Sequence, residues 1–286
     1  MTNIEVKTRC ILDTLNNSEK KVANYLLNNI ENIFSMPVAR LAEEAGVSQV
    51  TWVRFCKALG FDGLKDLKKS IFIELNNAAA NENSKTIVFS DINKHSNIEQ
   101  ICTTIKNNTI QAVEDTMKMI DYKGLSKIIK IIEQADHVQL FGIGASGNVA
   151  DDLYRKLLRI GKNASFCYDA HMQLTYGANM NSKDVAIIFS YSGTTSEMLE
   201  ILSLSRAANC PTIAVTKFAK SPLVAGADYS IYISAPEVNL RSGAMSSRMA
   251  QLAIVDILFS ILANKNYVSV EKNLEKSYEA CRTHKQ

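Results

Sequence analysis

The chain has 286 residues, which at about 150 residues per domain points to two domains. With 47% apolar and 21% charged residues and only 4 Pro and 12 Gly, it is neither disordered, collagen-like nor Pro/Gly-rich. A net charge of +3 is too small to argue for any class of partner by itself.

The opening MTNIEVKTRC has no apolar core and no cleavage site, so no signal peptide is expected. The first ~75 residues read as helices. Val22, Leu26 and Leu27 follow Ser18, which is a candidate N-cap. A second helix is expected from Pro37 to Gly46, with Val38, Leu41, Ala42 and Ala45 on one face. A third starts after Ser48, carries Trp52, Val53, Phe55, Cys56 and Leu59, and ends at Gly60. A fourth runs from Leu64 to Leu75. Residues 76–97 lose this period and are rich in Asn, Ala and Ser, as a linker would be. Helical periodicity returns over Ile98–Ile120 and Leu125–Ile132.

From His137 the rhythm changes to short β-branched runs alternating with helices, the pattern of a parallel sheet buried on both faces. Strands are expected near 137–142, 164–168, 184–189, 212–216 and 228–233. The late apolar stretch Ile254–Ala263 is broken by Asp256 and Ser260 and is shorter than the roughly 20 residues that span a bilayer, so no membrane partner is expected. Six cysteines (10, 56, 102, 167, 210 and 281) make no CxxC and no Cys/His zinc spacing. They read as small apolar groups in a reducing cytoplasm, with no metal and no cofactor. Expected boundaries are therefore 1–77 for a helical domain, 78–97 for a linker and 98–286 for an α/β domain with its leading helices.

Residues 38–55 follow a helix-turn-helix grammar. Ala42 lets two helices cross closely, Gly46 takes the positive φ of the turn, Val47 fills the space beneath it, and Ser48 caps the next helix. With Trp52, Phe55 and Cys56 inward, Ser48, Gln49, Val50, Arg54 and Lys57 face outward, toward a DNA major groove. Gln can pair with adenine and Arg with guanine, while Lys57 suits phosphate. Residues 1–77 hold ten Lys/Arg against nine Asp/Glu, yet 49–70 hold Arg54, Lys57, Lys65, Lys68 and Lys69 against Asp62 and Asp66. Positive charge thus gathers around the groove-facing helix.

Two turns suit an anion. Gly142-Ile-Gly-Ala-Ser-Gly147 after the first strand lets backbone amides approach a phosphate at a helix start, with Ser146 adding a hydroxyl. As GxGxxG it also describes a dinucleotide site, with Asp169 as the ribose-binding acid. The second turn, Ser190-Tyr-Ser-Gly-Thr-Thr-Ser196, crowds hydroxyls around one glycine; Glu197 could complete a capping box there instead. Two hydroxyl-rich turns at neighbouring strand ends fit one phosphomonoester better than a dinucleotide.

GIGAS followed by SYSGTTSE resembles the sugar isomerase (SIS) domain, and AGVSQVTWVRFCKALGF resembles the N-terminal domain of RpiR-type transcriptional regulators. Asp169-Ala-His171 and the stretch from Glu237 through EVNLRSGAMSSRMAQLA are similar to the same family. The resemblance implies an all-helical head followed by an α/β/α, flavodoxin-like domain, operator DNA and a phosphorylated sugar as partners, and a homodimer or homotetramer. It carries Ser146, Ser190, Ser192 and Thr195 over as phosphate contacts, with Gly144 and Tyr191 supplying close backbone, and places Glu237 near the sugar. Trp52 stands where the family more usually has a smaller aliphatic residue.

SIS folds also include aldose–ketose isomerases, which need a base to move a proton through an enediol. His171 and Glu237 are the candidates: His171 reads first as a capping or core histidine, and Glu237 as a sugar-hydroxyl contact. Arg241 could meet phosphate or pair with Glu237 at i+4. Neither turn holds a second acid or base, so a regulator is expected, with an isomerase as the alternative.

Overall fold

A computed structural model describes residues 2–34, 36–78, 96–235 and 244–282, with side chains throughout except at 75–78 and 281. Glu237, Arg241 and most of the expected linker lie outside these residues. The described chain forms two units.

The first unit begins with α1 (Asn3–Ile11), capped by a Thr2/Glu5 capping box, then a 3-10 turn and α2 (Asn17–Ile33). Asn16, not Ser18, caps α2. Its side chain accepts the Glu19 N–H at 2.9 Å while the Glu19 carboxylate accepts the Asn16 N–H at 3.3 Å. A glutamate three residues after Asn16 completes the capping box that Ser18 lacks. Next come α3 (Val38–Glu44), α4 (Gln49–Ala58) and α5 (Leu64–Ala78). Their apolar stripes meet in one core containing Leu26, Leu41, Trp52, Phe55, Leu67 and Ile71.

Helix α6 (Ile98–Lys118) also packs with this unit, touching α1, as do Phe218–Lys220 and the residues just after β5 (Tyr229–Ile233). Its buried Thr116 hydroxyl accepts the Ser234 N–H at 3.0 Å. The packing boundary therefore falls after Met119. The composition change at 76–97 marks where helical period is lost, not where contacts are.

The second unit opens with α7 (Tyr122–Gln134) and continues β1 (Val138–Phe141), α8 (Ala145–Arg159), β2 (Ala164–Ser165) and α9 (Ala170–Ala178). It proceeds through β3 (Val185–Phe189), α10 (Ser196–Ala207), β4 (Thr212–Lys217), α11 (Pro222–Gly226) and β5, and closes with α12 (Met245–Lys265) and α13 (Tyr267–Arg282). All five strands are parallel, in the order β2-β1-β3-β4-β5. Helices α9, α10 and α11 cover one face, where Ala186, Ile188 and Ala214 pack under Met198, Ile201 and Leu223. Helices α7, α8 and α12 cover the other. β3 is buried at every residue, as a strand sandwiched between two helical layers must be.

Among the described residues only α12 is long and apolar enough, by length and composition, to cross a membrane. It nevertheless buries Ala250, Ile254, Val255, Leu258 and Leu262 and lies against α8, as the core helix of an α/β unit does.

Candidate functional site

Each unit carries one candidate surface. In the first, the α3–α4 turn has the expected geometry. Gly46 sits at φ 63°, and its N–H and that of Val47 donate to Glu43 and Ala42 carbonyls at 3.0 and 2.9 Å. Val47 packs on the core, and the Ser48 hydroxyl caps α4 by accepting the Thr51 N–H at 3.3 Å. Trp52, Phe55 and Cys56 are fully buried, the indole edge-on to both Tyr25 and Phe55. The larger aromatic at position 52 is thus accommodated by a ring cluster, although its Nε1 finds no acceptor among the described residues. Ser48, Gln49, Val50, Arg54 and Lys57 all lie exposed on the opposite face. Val53, which the sequence reading did not single out as outward, joins them. Lys65 and Lys69 are exposed on α5, whereas the Lys68 ammonium turns back to donate to the Met36 carbonyl. Burial pulls the Lys68 pKa below its ordinary value.

In the second unit, the turns after β1 and β3 lie at the carboxyl ends of adjacent strands. The strand order reverses between β1 and β3, the place where open α/β sheets form a crevice. Gly144 is the N-cap of α8, at φ 59°, ψ −127°, a region open to glycine. No side chain caps α8, and Ser146 is half-buried in its first turn. The turn is held from outside by Gln173 of α9, which is 1% exposed. Its Oε1 accepts the Gly142 N–H at 3.1 Å, and its Nε2 donates to the Gly142 and Cys167 carbonyls at 2.9 and 2.8 Å.

The second turn is pinned by its neighbours. The Tyr191 carbonyl accepts the Lys217 N–H at 3.1 Å and the Thr216 hydroxyl at 3.2 Å, and the Gly193 carbonyl accepts the Leu223 N–H at 3.2 Å. Gly193 has φ 67°, and a Cβ there would stand 2.3 Å from Ser221 Oγ, so only glycine fits. The Ser190 and Thr195 hydroxyls are 3.3 Å apart, and Thr194 Oγ1 donates to Ser192 Oγ at 2.9 Å. The capping box considered for this turn does not form: α10 starts at Ser196 with Thr195 as N-cap and no side-chain cap. Glu197 lies one residue short of the box position; its own N–H and the Ser196 hydroxyl hold its carboxyl below the usual range.

Two side chains of this region escaped the sequence reading. Gln173 carries no motif, and Lys217 ends β4, outside both turns. The Lys217 ammonium lies 5.5 Å from the Tyr191 ring centroid, which brings a cation to the second turn.

Asp169, the acid of the dinucleotide alternative, caps α9, its carboxylate accepting the Met172 N–H at 2.8 Å. His171 is neither a cap nor a core residue; it is exposed in the first turn of α9. Among the described residues no three His, Cys, Asp or Glu side chains cluster as a metal site would require.

The family model described as "Helix-turn-helix domain, rpiR family" matches residues 2–78, and the SIS domain model matches 131–261. An uncharacterized HTH-type transcriptional regulator of Caldanaerobacter subterraneus subsp. tengcongensis is 33% identical over 98% of this chain and 97% of its own. The chain belongs to the rpiR family of helix-turn-helix transcriptional regulators. A second relative, the uncharacterized HTH-type transcriptional regulator YbbH of Bacillus subtilis, is 33% identical over 92% of this regulator and 91% of itself. Among solved structures, the NanR protein of Vibrio vulnificus complexed with ManNAc-6P is 25% identical, covers 97% of both chains and superposes with a TM-score of 0.59. The sugar isomerase domain of an RpiR transcription factor from Sphaerobacter thermophilus covers 63% of this regulator and 99% of its own chain (22% identity, TM-score 0.58), and so shares its fold.

Proposed function

We propose that this regulator binds operator DNA with an affinity set by a phosphorylated sugar, whose phosphate lies across the turns after β1 and β3. One observation carries the reading. Helices α8 and α10 start at the ends of adjacent parallel strands without a side-chain cap, behind the hydroxyls of Ser146, Ser190, Ser192 and Thr195. Hydroxyls, first-turn amides and the helix dipoles together favour a compact dianion. Gly144 and Tyr191 offer close backbone, and Lys217 adds the positive charge that the turns lack. The ManNAc-6P bound to NanR supports a phosphosugar, an amino sugar among the candidates.

Glu237, Arg241 and His171 are proposed for the sugar end, the first two on the family resemblance alone. On the DNA side, Ser48, Gln49, Val50, Arg54 and Lys57 meet the operator. A homodimer or homotetramer would place paired α4 helices in half-sites about 34–36 Å apart or at multiples of that. The protein acts in the cytoplasm, away from membranes, and needs no cofactor. The regulator names of its relatives support a sensor rather than an isomerase. The operator-binding head is taken as 1–77, and the effector domain as the α/β part within 98–286, joined by 78–97.

Calorimetry of the full chain against a panel of hexose and amino-sugar phosphates tests this. At least one should release or absorb heat and shift operator binding in a gel titration. Ser192→Ala with Thr195→Ala should abolish that response and leave effector-free operator binding unchanged. A panel without heat, or a double variant that responds like the wild type, rejects the phosphate assignment.

A further inference from the structure

The open face of α4 holds a feature that hydrogen-bonding residues do not explain. Val50 is 59% exposed and Val53 40%. Three residues apart, they are neighbours on one helix surface in its first two turns. β-branched residues are stiff and only moderate helix formers, so solvent alone gives no reason for two of them here. The pair is ringed by exposed Gln49, Arg54 and Lys57, and exposed Lys65 and Lys69 on the following helix stand beside exposed Asp62 and Asp66. Two valines beside Arg54 and Lys57 in a charged surround are too small to be the core of a protein interface, which is depleted in charge. They match a polyanion that offers isolated apolar spots. The DNA major groove does so at one place, the C5-methyl of thymine.

We infer that Val50 and Val53 read thymine methyl groups in the operator, beside the base edges met by Gln49 and Arg54. The inference rests on α4 being the groove-entering helix, and it adds Val53 to the residues that set sequence preference. Gln49 and Arg54 distinguish bases by donors and acceptors; the valines distinguish thymine from every base without that methyl.

The test uses the full chain and a random duplex library enriched by selection on it. The enriched pool is amplified either with dTTP or with dUTP, which differ only by the C5-methyl. Wild-type protein should bind the uracil pool at least about fourfold more weakly, about fourfold being the effect of one buried methyl. Val50→Ala with Val53→Ala, checked for retained helicity by circular dichroism, should bind the thymine pool correspondingly more weakly and separate the two pools by less than about twofold. Equal binding of both pools by wild type, or undiminished discrimination by the double variant, overturns methyl reading. Arg54→Ala separates this failure from failure of the underlying assignment. If that variant binds the enriched pool as well as wild type, α4 is not in the groove and both ideas fall. If it is impaired while the pools bind alike, only the valine inference is lost.

Discussion

Lys217 is a cation that the fold brings to the turn after β3. It is half-buried at the end of β4, its backbone N–H is bonded to the Tyr191 carbonyl, and its ammonium is held over the Tyr191 ring. A cation already positioned there can be redirected to a phosphate with little further ordering. Lys217→Gln keeps most of the volume and removes the charge. Phosphosugar affinity should fall about tenfold, the worth of one charge-assisted hydrogen bond, and the remaining affinity should depend less on salt. Calorimetry at low and high ionic strength checks both, and an unaltered salt dependence removes Lys217 from the site. The hydroxyl turns themselves were legible in the sequence, because glycine and hydroxyl residues between a strand and a helix declare themselves locally. Lys217 was not, since its approach to the turn after β3 follows from β4 lying next to β3, which spacing along the chain does not reveal.

Elements were legible wherever period and capping chemistry agreed. All five strands form within a few residues of their expected positions, the fully apolar runs being readable as buried strands. Helix starts depend on single side-chain bonds, so α2 begins at Asn17 under Asn16 and α10 one residue later than a capping box would need. The link from α9 to the turn after β1 is the part least visible in sequence. Gln173 satisfies both polar groups of Gly142 from another helix, and a glutamine at a helical position gives no sign of it. Gln173→Leu retains the apolar volume but strips partners from Gly142 N–H and C=O and from the Cys167 carbonyl. With three groups left unmet at about 1–3 kcal/mol each, the second unit should lose about 3–9 kcal/mol, seen as a lower urea midpoint. Phosphosugar binding should weaken as well, because Gly142 begins the turn that carries Gly144 and Ser146. A variant as stable as wild type would show that water replaces the amide.

At the scale of the whole chain, the sequence separated a helical head from an α/β part, while the packing of α6 is carried by contacts that the sequence does not display. Helix α6 carries the same helical period whether it serves one unit or the other, and only its contacts assign it to the first. The cysteines follow the same logic. Of those with described side chains, Cys56 and Cys210 are core groups, Cys10 and Cys167 are half-buried and Cys102 is exposed, so the expectation of uniformly apolar thiols holds for two. Each unit thus contains one buried thiol whose pKa is pushed up to about 12, first by burial and then by Asp66 beside Cys56 and by Asp184 and Asp228 near Cys210. An unfolded chain releases these protons near the ordinary value of 9.0. A folded-state pKa above the unfolded one means that the stabilisation is complete below pH 9.0 and is lost as pH rises from there toward about 12. The melting temperature of both units should therefore begin to fall above pH 9.0. The thiol contribution is isolated by Cys56→Ala with Cys210→Ala. This variant is somewhat less stable at pH 7 but should show a shallower decline just above pH 9.0. Maleimide labelling at neutral pH supplies the matching readout: Cys102 should react in the native protein, while Cys56 and Cys210 should label only once their unit unfolds. An identical alkaline slope in the variant would mean that neither thiol is held protonated by its surroundings.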